Sequence, residues 1–146
     1  MQASTGLRNY IGSSGSCKAA LDAGFLKVWT VPTDPTVGPD DALTGATLLG
    51  TFTESGDGTT GLTWDSAVNG ALPKAAAETW KTTWAASGTA VLFRFCEAGD
   101  AGDTASTTAK RVQGTVGIAG ADLTMSNNVV TSGADFTLDS AEIDFT

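Results

Sequence analysis

Histidine is missing from this chain altogether. With it go the commonest general base and the commonest transition-metal ligand. A serine or cysteine nucleophile would need a different activator. Charge is scarce as well. Asp, Glu, Lys and Arg make up 16% of residues, against about 25% in an average soluble domain. What charge there is leans acidic, for a formal net charge of −8, and the eight basic residues form no run. Such a chain repels phosphate, so neither nucleic acid nor an anionic membrane surface is an expected partner. No stretch approaches the ~18 apolar residues of a membrane span. The opening "MQASTGLRNYIGSSGSCKAAL" lacks the apolar centre of a signal peptide, so synthesis in the cytoplasm is expected. Cysteine is limited to Cys17 and Cys96, and without a CxxC pattern zinc is unsupported. Free thiols are preferred over a disulfide, because two cysteines seldom satisfy the requirement of Cα atoms within about 7 Å.

What is present is Gly, Ala, Thr and Ser, with 41% hydrophobic residues in a chain of 146. That length suits one domain with one core. The composition suits a β-rich fold and not a helical bundle, which would want more Glu, Lys, Leu and Arg. Residues 1–24 read as a short helical or turn-like arm. Ser4 is a candidate N-cap before "TGLRNYIG", with Gly12 as the stop. Ser16 repeats the device, with Gly24 at the end. From Phe25 the period changes to two. Strands are expected over 25–31, 46–54, from 62, and over "TWKTTW" and "TAVLFRF". Further strands are expected over 110–117, 121–126, 128–133 and 135–146. The Ser87-Gly88 turn is expected to make "TWKTTW" and "TAVLFRF" neighbours. Residues 32–41, with three of the four prolines, read as an exposed loop, and 98–109 as a long polar one. The whole predicts a mainly β protein, an antiparallel β-sandwich of jelly-roll or immunoglobulin-like type over 25–146, preceded by the short helical arm.

Candidate chemistry is thin. Asp34, Asp40 and Asp41 cluster in one loop and Asp100 and Asp103 in the other. Either group has oxygen ligands for calcium, but neither has the spacing of a calcium-binding loop. Solvated loop acids are the preferred reading. No carboxylate pair is marked out for acid–base work. "GTVGIAG" lacks the spacing of a phosphate-binding loop, so no cofactor is expected. Trp29, Trp64, Trp80 and Trp84 are the best candidates for a sugar-stacking platform. A domain of this size also needs large core residues. Core positions are therefore expected for these four and for Phe93 and Phe95.

The segments "KAALDAGFLKVWT", "ATLLGTFTESGDGTTGLTWD", "NGALPKAAAETWKTTWAASGTAVLFRF" and "RVQGTVGIAGADLTMSN" carry a resemblance. They are similar to a family of small proteins encoded by tailed bacteriophages, with the pattern G-F-[LI]-K-[IV]-[YW], A-T-L-L, A-S-G-T-A and [RQ]-[IV]-Q-G-[ST]-V-G-x-A-G-A-D. The likeness runs from about Leu7 to the end; the cysteines and the 32–41 loop depart from it. It implies a non-enzymatic virion protein, a neck, collar or capsid decoration component. Its partners would be other virion proteins and further copies of itself, and its location the virion. It supplies no catalytic residues. The alternative is a receptor- or glycan-binding module of a tail tip or fibre, and a third reading is a hydrolase with paired carboxylates. Leu7, Ile11 and Leu21 are too few to form a core of their own, which makes the arm a candidate assembly interface.

Overall fold

The change of period at Gly24 marks a real change in the backbone. Before it the computed structural model, which describes residues 1–144, is largely helical; after it the chain is mainly β, in antiparallel sheets. Ser4 caps α1 (Thr5–Ser13), its hydroxyl accepting the Leu7 N–H at 3.1 Å. Ser16 caps α2 (Cys17–Leu21) in the same way through Ala19. Gly12 does not stop the first helix, which runs to Ser13. A glycine in an exposed helical turn costs only about 1 kcal/mol, and nothing crowds this one. The turn after α2 is carried by Ala23 at φ 61°. Gly24 has another reason to be glycine: a Cβ there would lie 2.3 Å from the Cys96 carbonyl oxygen.

The main sheet contains β1 (Gln2–Ala3), β2 (Phe25–Trp29), β3 (Leu48–Glu54), β5 (Trp80–Thr83), β7 (Leu92–Cys96), β8 (Arg111–Gly117), β9 (Leu123–Thr124) and β11 (Asp135–Leu138). Its order is β1-β8-β7-β2-β3-β5-β11, with β9 added parallel to β8. The strand expected from residue 62 is reduced to single bridges, Gly24 to Leu62 and Trp64 to Lys74. The expected pairing of the two strands around Ser87-Gly88 does not occur. β7 lies between β2 and β8, whereas β5 lies between β3 and β11. Gly88 and Thr89 instead form β6 and pair with β10 (Val129–Val130). A second ribbon joins β4 (Ala71–Pro73) to β12 (Glu142–Asp144). Of the strand expected over 135–146, residues 145 and 146 lie outside the described residues.

Alternation sorts the sheet into two faces. Leu26 is registered with Phe95 and with Phe52, Val28 with Phe93, and Phe95 with Val112. These form the main core, which the two ribbons close with Leu72, Val130 and Ile143. The sandwich is thus unequal, one large sheet facing two small ribbons. The arm is part of it. β1 pairs with β8, and Leu7 and Leu21 are only 1% and 0% exposed within the same core. The interface expected of Leu7 and Leu21 is therefore corrected: both are consumed by their own domain, and of the three only Ile11 is exposed.

Candidate functional site

Two concentrations of chemically capable side chains lie on opposite faces of the sheet. On the apolar face β5 places Trp80 at 0% exposure. Trp64 meets it edge-on at 4.9 Å between ring centroids, and Phe95 joins at 4.9 Å from Trp64 and 5.8 Å from Trp80. The Trp80 indole donates to Glu78 Oε2 at 2.9 Å. The same carboxylate accepts the Thr63 N–H and hydroxyl at 2.9 and 2.6 Å. Lys74 lies over the Trp80 ring at 5.9 Å and donates to the Glu78 carbonyl. Trp84, four residues on, belongs to a separate trio with Phe52 and Phe136, at 5.8 to 6.0 Å. All four tryptophans are at most 5% exposed, and Phe93 and Phe95 are 6% and 2% exposed. The core assignment of these aromatics is what the structure shows, and no accessible stacking platform exists among them.

Beside this cluster the C-terminal segment leaves a groove of about 950 Å³, whose lining includes Trp64, Trp80, Phe93 and Phe95. Its acids, Asp122, Asp139 and Glu142, are exposed residues. Asp122 is already engaged by the Met1 ammonium at 2.8 Å and the Thr115 N–H at 2.9 Å.

The opposite face is polar and yet closed. Arg94 and Arg111 are both 0% exposed. Arg94 donates to Gln113 Oε1, Gly102 O and Gly38 O at 2.6 to 2.7 Å. Gln113 in turn donates to Val37 O. Arg111 grips the Asp100 carboxylate with two bonds of 2.6 and 2.7 Å and also reaches Thr104 O and Pro39 O. Lys27 holds the Asp100 and Ala101 carbonyls. The two loops, 32–46 and 98–109, are thus bound onto the sheet by cations donating to their carbonyls. Beside them Trp29, Leu43 and Leu92 form a small second apolar cluster. Burial and the neighbouring Arg111 charge push the Arg94 guanidinium down to about 10. Burial alone would raise the Asp100 carboxyl, but the bonds from Arg111 and the Gly102 N–H outweigh it and hold it below its ordinary range. The Asp100 bond raises Arg111 despite that residue's burial.

The loop acids are therefore not all solvated, as the sequence suggested. Asp100 is 10% exposed and ion-paired. Asp40 accepts the Thr5 N–H and hydroxyl at the start of α1. Asp34 and Asp41 close local turns through Thr36 and Gly38. Asp103 is exposed, and its main-chain carbonyl accepts the Leu43 N–H. Among the described residues no group of three or more His, Cys, Asp or Glu side chains is placed to hold a metal ion. Cys17 and Cys96 are both buried free thiols. Burial pushes them up to about 11 and about 12, far from a reactive thiolate at neutral pH.

Sequence reasoning missed the guanidinium pair. The available signal was Arg94 in the middle of the most apolar strand, where a cation must be exposed or internally bound. No family model, curated protein or solved structure matches this chain. The likeness to the tailed-phage proteins rests on the motifs quoted above. Among the described residues no helix is long and apolar enough to cross a membrane.

Proposed function

We propose that this chain is a non-enzymatic structural protein of a tailed bacteriophage particle. It is made in the host cytoplasm and assembled in multiple copies as a neck, collar or capsid decoration component, in contact with other virion proteins. The observation that carries this reading is the inward use of its functional side chains. Four tryptophans, two arginines and the Glu78 and Asp100 carboxylates are all committed to holding sheet, ribbons and loops together. Such internal cross-linking suits a protein that must persist outside a cell. The receptor- or glycan-binding alternative called for exposed tryptophans, and the hydrolase reading for facing carboxylates in a concave pocket. The tryptophans are at most 5% exposed, and Asp122 of the groove is held by the Met1 ammonium and the Thr115 N–H.

Gold-labelled antibody against the chain, applied to purified particles, tests the proposal. Regular labelling at the neck or over the capsid is expected. Particles that carry none of the chain by labelling and by mass spectrometry would sink it.

A further inference from the structure

Of the six large hydrophobic side chains exposed among the described residues, Ile11 lies on α1 and Val68 in the turn before β4, whereas the other four gather at one end. Val31, Ile118 and Val129 are 56, 68 and 60% exposed, and all three lie at one end of the sheet. Val31 follows the end of β2. Val91, just before β7, donates to Trp29 O and accepts from the Val116 N–H, which sets the end of β8 and Ile118 alongside. Val129 is registered with Thr89. The adjoining Gly88 packs so closely on the Thr30 methyl that a Cβ would approach it to 3.1 Å. On the outer side of the same end, Met1, Val31, Pro35 and Val91 line a cleft of about 370 Å³.

This end is also poor in charge. Every Lys and Arg side chain is elsewhere: in α1 and α2 (Arg8, Lys18), within the sheet (Lys27, Lys81, Arg94), or toward the opposite end (Lys74, Lys110, Arg111). Of its acids, Asp122 is neutralised by the Met1 ammonium, which leaves Asp34 in its turn with Thr36. On a chain of net charge −8, two copies repel over most of their surface. A charge-poor, apolar end is where they can meet without burying like charges, and apolar residues at such a patch reward the contact.

Resting on the multi-copy reading above, we infer that this end is a self-association surface. Its occupant is a second copy of the chain, docked end to end across a two-fold axis. Val31, Ile118 and Val129 form its apolar centre. Hydroxyl and amide side chains such as Thr89 and Asn127 form the rim.

Sedimentation of the purified chain over a wide concentration range tests this without any particle. A reversible monomer–dimer equilibrium is expected. Ile118→Glu with Val129→Glu sets like charges face to face and should weaken it roughly 100-fold or more. Val31→Thr with Val129→Thr, which keeps shape and cannot upset an exposed position, should weaken it in the same direction. Ile11→Glu, on the helical arm, should leave it unchanged. A wild type that stays monomeric, open-ended growth beyond two copies, or an equal effect of Ile11→Glu overturns the surface. Dimers that respond as expected, in a chain absent from particles by labelling, would leave the surface standing and remove only the virion assignment.

Discussion

On one face of the main sheet Trp64, Trp80 and Phe95 meet ring to ring; on the other, Arg94 and Arg111 are equally buried and meet carbonyls and a carboxylate. Both faces exclude water, by opposite means. The apolar face is covered by ribbons that bring their own hydrophobic side chains. The polar face is covered by loops rich in Gly, Pro and Asp, which have few apolar side chains to offer. Their carbonyls are their main resource, and long cationic side chains reach them. A guanidinium with five donors in a fixed fork can satisfy carbonyls from two loops at once. The lesson is that a loop of poor hydrophobicity can still form a layer of a fold if the sheet beneath supplies donors.

The two faces are most sensitive at their most deeply buried side chains. Trp80→Ala should cost about 3–5 kcal/mol, as expected for a fully buried aromatic, measured by denaturant unfolding. Asp100→Ala should cost about 3 kcal/mol or more, because it leaves Arg111 buried without its carboxylate. Replacing both partners, Arg111→Met with Asp100→Leu, should recover only part of that loss, because the Pro39 and Thr104 carbonyls lose their donor. If the single change costs less than about 1 kcal/mol, the ion pair does not hold the polar face and the two faces are not equivalent.

A smaller effect comes from acid. The Asp100 carboxyl is held below its unfolded value near 4. Its contribution is therefore complete above that value and is lost as pH falls through the lower folded one. The stability gap between the wild type and Asp100→Asn should be constant at neutral pH and should narrow below about pH 4. Asp57, lowered to about 2 by its bonds from Thr60 and Thr59, titrates in both proteins and cancels in the difference. A gap that persists unchanged at pH 2 would assign it to shape and not to charge.

The smallest effect is the most local. Cys96 lies under the 98–109 loop, with the Gly102 backbone so close to its sulfur that a Cβ would come within 2.8 Å. Cys17 belongs to the main core. Asp100→Ala should speed thiol labelling of Cys96 under native conditions and leave Cys17 unchanged, because loop opening is a sub-global event. Equal acceleration of both would mean that the two faces open together.

The fold class was legible because periodicity is local. Phe25–Trp29 and Leu92–Cys96 have the period of two that marks a strand, although the second is buried on both faces, and Ser4 and Ser16 announce helix starts by their chemistry alone. Pairing was not legible. Ser87-Gly88 has the composition of a hairpin turn, yet the chain crosses to another place in the sheet, because partners are chosen by which faces must be buried together. The aromatic half of the candidate site followed from the size of Trp80 and Phe95. The polar half did not, because the partners of Arg94 and Arg111 are mostly main-chain carbonyls, which leave no mark in a sequence. Asp100 had a side chain to notice, and nothing in its loop indicates that it faces inward.

The pairing of β1 with β8 has a consequence in time. Gln2 is registered with Gln113, and the Ser4 N–H donates to the Arg111 carbonyl. While the chain is being made, its first strand has no partner until Arg111–Gly117 has emerged, roughly 5–20 s later at usual elongation rates. Contacts so distant along the chain also slow folding itself, to the millisecond-to-second range typical of such β topologies. The first strand of the sheet thus pairs only when most of the chain has been made.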